Sequence, residues 1–180
     1  MRKSDAISIL KADHDAVKTL FKDFESAETT REKSAIARRA ILELKIHTAI
    51  EEEIFYPAVR KALKKAIGKA ETTELMDEAD EEHHVAKLLI AELETMQASD
   101  DHWAGKFTVL SENILHHVKE EETEMFAKVR KLDLDLEALG AEMMARKEAL
   151  KTDGVPAFAE QTLIARFGIA DSPAEASRVR

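Results

Sequence analysis

A histidine and a glutamate four residues apart occur twice in this chain: His47 with Glu51 in HTAIEEEIFYP, and His117 with Glu121 in HVKEEETEMFA. On a helix, positions i and i+4 share one face, so each pair aims an imidazole nitrogen and a carboxylate at one point. The two copies lie 70 residues apart, and His14 in ADHDAVK has its own echo 69 residues on, His83 in EEHHVAK. One such pair alone is a common accident of helix surfaces, and a lone histidine is usually structural. Two pairs in register with two further histidines are the donor set of a metal centre. Imidazole suits iron, zinc, copper and nickel, and carboxylate favours harder ions, so the expected order is iron, then manganese, then zinc. Two carboxylates between two histidine clusters can bridge two ions. Counting each bridge once per ion gives about eight protein positions against about twelve for two octahedral ions. A bridging oxo or hydroxo group, water or an exogenous molecule must supply the rest. Paired redox ions with open positions are a place for a diatomic or peroxide ligand.

Several neighbours compete for roles. His84 and His116 are the register alternatives to His83 and His117, about 100° away round the helix, and the 69 and 70 offsets decide against them. His102 falls at a helix start. Asp13, Glu52, Glu82, Glu120 and Glu122 are candidates for the carboxylates that orient ligating histidines. Tyr56, the only tyrosine, lies five residues past Glu51 and beside Pro57; packing near a kink is the expected role, with ligation or electron relay as the alternative. Trp103 reads as packing, and Met76, Met96, Met125, Met143 and Met144 as core filler.

The elements that must position these groups read as helices almost throughout. The first spans about Asp5–Glu25, capped by Ser4, with Ile9, Leu10, Ala16, Val17, Leu20, Phe21 and Phe24 as its buried face. The second spans about Arg31–Ile67 and ends at Gly68, with Pro57 expected to kink it just past Glu51. A third spans about Thr73–Gln97. Ser99-Asp100-Asp101 then caps a fourth over about Asp101–Lys131. Asp133–Leu150 reads as a fifth, and Ala157–Phe167 as a short sixth ending at Gly168. Helices one and two repeat as three and four, with Lys18 matched to Lys87 and Phe24 to Leu93. Two hairpins that each bury one face pack as an antiparallel four-helix bundle. The expected fold is therefore all-α, with the bundle in residues 1–135 and a helical extension and tail in 136–180.

Bulk composition agrees and excludes much. Of 180 residues, 44% are apolar and 35% charged, with 5 Gly and 3 Pro, which suits helices and one real core. The absence of cysteine removes disulfides, thiolate sites and iron–sulfur clusters. A net charge of −9 argues against a nucleic-acid partner, which needs a basic footprint. No apolar run reaches membrane-spanning or signal-peptide length, so the expected location is the cytoplasm. No phosphate cradle or nucleophile motif is present.

The segments around His14, His47 with Glu51, His83, and His117 with Glu121 (ADHDAVKTLF, KIHTAIEEEIFYPAVR, EEHHVAKLLIAELE and HHVKEEETEMFAKVR) resemble the hemerythrin family, specifically the bacterial hemerythrin-like proteins with an HHE cation-binding domain. The resemblance covers about residues 5–130, with all four helices in order. A ferritin-like site would carry Glu-x-x-His instead. The resemblance implies a non-heme di-iron centre, bridged by carboxylates and an oxygen species, with His14, His47, Glu51, His83, His117 and Glu121 as ligands. Oxygen-carrying members have a fifth histidine four residues from the third-helix one; here those positions are Ala79 and Lys87. The departure shifts expectation from reversible O2 carriage toward sensing, iron handling, or nitric oxide or peroxide chemistry, with Glu78, Asp80 or Tyr56 available for the missing position. Two alternatives stand beside this: a catalase- or peroxidase-like enzyme, and a metal-stiffened interaction module that meets a protein partner through the fifth helix and tail.

Overall fold

The computed structural model describes residues 5–167, and among them every regular element is helical. Helix α1 (Ala6–Ser26) is capped by Asp5, whose carboxylate accepts from Ser8 N–H; Ser4 lies outside the described residues. Helix α2 (Thr30–Ile50) starts on a capping box between Thr29 and Glu32. It runs through a π-helical turn (Glu51–Phe55) into α3 (Tyr56–Ile67), and Gly68, at φ +89°, makes the junction to α4 (Lys69–Thr95). That left-handed φ suits glycine, and it lets α4 begin earlier than the expected Thr73. Helix α5 (Trp103–Glu120) passes through a second π-turn (Glu121–Met125) into α6 (Phe126–Val129). Helix α7 (Leu136–Asp153), capped by Asp135, and α8 (Ala159–Phe167) complete the fold. The expected end of the sixth helix at Gly168 falls outside the described residues.

Both π-turns follow a glutamate of the matched pairs. Each is closed by an i+5 bond, Tyr56 N–H to the Glu51 carbonyl and Phe126 N–H to the Glu121 carbonyl. The first precedes Pro57; the second precedes Ala127. A proline therefore does not cause the distortion, contrary to the kink expected from Pro57, which here occupies the first turn of α3 where its missing N–H costs little. Single π-turns inside helices commonly mark functional sites.

Helix α1 packs on α2 and α4 on α5, giving the two hairpins of a four-helix bundle. Its core is in two parts. One gathers Val17, Leu20, Phe24, Leu44, Trp103 and Phe107; the other gathers Leu10, Ile46, Ile50, Phe55, Met143 and Leu150. Along α1 the first part ends at Val17 and the second begins at Leu10, and His14 lies between them. Two expected core positions differ: Ala16 is exposed, and Met144 is 40% exposed while its neighbour Met143 is fully buried. Helix α7 lies across α1 and α2, and α8 across α4. Among the described residues, no helix is long and apolar enough to cross a membrane.

Candidate metal centre

His14, His47, His83 and His117 come from four helices, and the π-turns begin at Glu51 and Glu121; all six side chains are buried. Ligating atoms of His14, His47, Glu51 and Glu121 lie within 4.8 Å of one another, and so do those of Glu51, His83 and His117. Glu51 belongs to both groups. Its Oε2 is 3.1 Å from His47 Nε2 and 3.4 Å from His83 Nε2. Glu121 Oε2 is 3.2 Å from His14 Nε2. The arrangement is two-fold: the His14 and His47 rings meet edge to face at 4.9 Å, and the His83 and His117 rings at 4.7 Å.

The outer nitrogens follow the same symmetry. His14 Nδ1 donates to Glu122 (3.0 Å), His83 Nδ1 to Glu52 (3.2 Å) and His117 Nδ1 to Glu82 (2.7 Å). His47 Nδ1 faces Asp13 at 3.6 Å. A carboxylate only accepts, so the ring proton sits on Nδ1 and the Nε2 lone pair points inward, as ligating histidines require. Lys18 and Lys87, repeat equivalents, bind Glu122 (2.8 Å) and Glu52 (3.0 Å). Four of the five carboxylates expected in this outer layer thus occupy it; Glu120 instead pairs with His116 at 3.2 Å. His84 bonds Glu160 of α8, away from the centre.

Tyr56 departs from its expected packing role. Its hydroxyl lies 3.3 Å from both His83 Nε2 and His117 Nε2, and 3.4 Å from Glu121 Oε1. On a regular α-helix a residue five past Glu51 sits about 140° off its face. The π-turn swings it back. Phe126, the matched residue after the second π-turn, stacks parallel to His14 at 6.0 Å. At this matched position the two halves differ by one hydroxyl. Of the other groups considered for the missing position, Asp80 pairs with Arg60 at the surface, and Glu78 is exposed.

Lys147 of α7 is the group that the repeat does not foretell. It is buried and ion-paired with Asp13, the partner of His47. Burial opposes ionisation of Asp13, but bonds with His47 and Lys147 win and hold it below the ordinary range. Lys147→Ala is expected to destabilise the protein by about 1–3 kcal/mol through the carboxylate left half-paired. Urea denaturation checks this, and an unchanged midpoint would show that α7 does not secure Asp13.

The donor atoms fit a bound cation. Buried atoms without hydrogen-bond partners include Nε2 of His14 and His47, both Glu51 oxygens and Glu121 Oε2. Such atoms are costly unless paired, and these converge on common points. Burial lowers the pKa of His47 to about 4 and lowers that of His83, leaving both lone pairs free near neutrality. Burial, then the Glu121 charge, holds Glu51 well above the usual carboxylate range. Burial also acts on Glu121, but its histidine neighbours, His14 foremost, hold it lower. A cavity of about 20 Å³ adjoins the four imidazoles, lined also by Val17, Leu44, Ala86, Ile114 and Val118 among others.

Comparison with known proteins agrees. The family model described as "Hemerythrin HHE cation binding domain" matches residues 5–129. An uncharacterized protein of Mycobacterium tuberculosis, Rv2633c, is 30% identical over 166 residues, covering 88% of this chain and 93% of its own length. A DNA nickase of Nostoc sp. is 26% identical over 122 residues; the match covers 68% of this chain but only 32% of the nickase. The crystal structure of an HHE cation binding domain-containing protein from Mycobacterium kansasii, a homolog of Rv2633c, superposes with a TM-score of 0.65 at 27% identity, covering 84% of this chain and 94% of the other.

Proposed function

The chain belongs to the hemerythrin HHE cation-binding domain family, and from that premise we propose that it is a non-heme di-iron protein whose centre engages O2, nitric oxide or peroxide. The metal-binding bundle is assigned to residues 1–135 and its extension to 136–180, of which 1–4 and 168–180 lie outside the described residues. His14, His47, Glu51 and Glu121 hold one ion. His83, His117 and the same two carboxylates hold the other, with the Tyr56 hydroxyl in the position for which no fifth histidine is available. The ions supply open coordination positions and one-electron redox chemistry.

The observation that carries this reading is the convergence of unpartnered buried donors beside a small cavity of about 20 Å³ with a largely apolar surface. That volume exceeds the roughly 10–15 Å³ that one water needs. It suits a diatomic or peroxide. The apolar walls keep bulk water from the inward nitrogens. Asp13, Glu52, Glu82 and Glu122 fix the imidazole orientations from outside. Burial, then the charges of Glu121 and Glu51, keeps the Tyr56 phenol protonated, so its hydroxyl can donate to Glu121 Oε1.

Metal content of protein expressed with iron, with absorption spectra after anaerobic reduction and after air, tests the reading. The expected result is about two irons per chain and a spectrum that responds reversibly. Zinc alone, or no metal, sinks it. Tyr56→Phe is expected to weaken the second ion by about 10–100-fold, the usual cost of a supporting contact, and to spare the first. Phe126 already shows that a phenyl ring fits the matched position. Equal loss of both ions under chelator challenge would contradict the assignment of Tyr56 to one half.

A further inference from the structure

The two-fold repeat supplies an internal control for the surfaces that flank the centre. On the first half, Asp13, Ile46, Ile50 and Ile54 form one face. Ile46 and Ile50 are fully buried against a core that includes Met143 and Leu150 of α7, Ile54 packs on the same cluster, and Lys147 caps Asp13. At the matched positions of the second half stand Glu82, His116, Glu120 and Glu124. Among the described residues no helix roofs this face. The side chains of His116 and Glu120 are 59% and 37% exposed, and that of Glu82 14%.

This open face leads inward. It holds a cavity of about 40 Å³ whose walls include Glu78, Glu82, Glu120 and Glu124, and whose lining also includes His117 and Glu121 of the buried centre. Glu121 is 2% exposed, and its unpartnered Oε2 faces His14 Nε2 at 3.2 Å inside that centre. Two of its wall residues, Glu82 and Glu120, also face His116, which does not itself line the cavity: His116 Nε2 lies 3.2 Å from Glu120 Oε1 and 3.6 Å from Glu82 Oε1, and ligating atoms of the three residues fall within 4.8 Å of one another. Glu82 serves both levels, because its other oxygen accepts from His117 Nδ1. One imidazole and two carboxylates, open to solvent, make a labile site for a divalent iron, manganese or zinc ion that keeps several waters. The surrounding carboxylates raise the local cation concentration.

We propose that Glu82, His116 and Glu120 form a third, exchangeable divalent-cation site, and that a cation captured there is passed to His117 and Glu121. The inference rests on the reading of the buried centre. The probes are Mn2+ added to the iron-loaded protein, with free Mn2+ followed by its paramagnetic resonance, and Fe2+ added anaerobically to the metal-free protein, with uptake followed in time. Wild type is expected to bind one extra Mn2+ per chain. His116→Ala and Glu120→Gln lose it and slow Fe2+ uptake about tenfold or more, yet reach the same final iron content. Asp23→Asn, an exposed carboxylate on α1, changes neither. Extra Mn2+ binding that survives both substitutions overturns the site, and uptake at the wild-type rate overturns the transfer. A wild type that binds no iron at any time overturns the buried centre, and this proposal with it; a normal final iron content without the third Mn2+ overturns this proposal alone.

Discussion

Glu51→Gln is expected to abolish metal loading and to raise the melting temperature of the metal-free protein. In the centre proposed above, Glu51 belongs to both donor groups, so its loss would reach both ions, whereas His83→Ala touches only one group. Affinity should fall by more than the about 10–100-fold that an outer partner is worth. Stability moves the other way. Both Glu51 oxygens are buried without a partner, and a glutamine amide can donate to the His47 or His83 lone pair. Relieving one unsatisfied buried group is worth about 1–3 kcal/mol, or on the order of 5 °C in a chain of this size. The sign with pH follows. A carboxyl raised above its ordinary 4.5 contributes stability below that pH and loses it as pH rises through the folded-state value. The variant's advantage therefore grows as pH rises above 4.5. With Glu51 gone, the depressed His47 dominates: its stability is complete above 6.5 and drains as pH falls toward about 4, a change of about 3 kcal/mol. Calorimetric melts of both metal-free proteins decide it. A variant that melts lower at about pH 8 would mean that Glu51 is satisfied without metal.

Chelation of the loaded protein is expected to lower its melting temperature by about 10 °C for each ion removed. A ligand present at a thousandfold excess over its dissociation constant stabilises the folded state by about 4 kcal/mol, and each kcal/mol moves the midpoint of a 150–250-residue domain by about 2–4 °C. The shift arises because the six donor side chains interrupt the apolar packing between Leu10 and Val17. Without metal, that layer holds lone pairs facing lone pairs: His83 Nε2 and His117 Nε2 are 3.2 Å apart. Melts with and without a strong chelator, followed by readdition of Fe2+, measure the difference. Identical midpoints would show that the polar layer is self-sufficient, and would point away from a metal centre.

Much of this centre is legible in residue spacing alone, because a duplicated helical hairpin repeats its chemistry as well as its shape. The 69 and 70 offsets select all six inward donors, and the match of Lys18 to Lys87 extends to the bonds they make with Glu122 and Glu52. The position of Tyr56 escapes that spacing for a definite reason. A helical wheel assumes a uniform 100° step, and the π-turn after Glu51 breaks that step just where the tyrosine returns to the site. Its match with Phe126 is an available signal, since one aromatic of the pair carries a hydroxyl. Lys147 leaves no trace in the repeat because α7 lies outside it. The opposed burial of Met143 and Met144 likewise depends on which side of α7 meets the bundle, and its own weak apolar periodicity does not declare that.

The ion pair between Asp13 and Lys147 joins positions 134 residues apart. A chain that leaves the ribosome N-terminus first exposes Asp13 almost at once, and must synthesise most of its length before the lysine exists. All six inward donors are available once Glu121 has emerged, but the support behind His47 is among the last contacts to form, and long-range closures of this kind are slow. A cation that arrived during synthesis would meet three histidines with their carboxylate partners in place and a fourth whose carboxylate still awaits its lysine. Of the outer supports around the six buried donors, the one that α7 lends to His47 is therefore the last to become available as the chain is made.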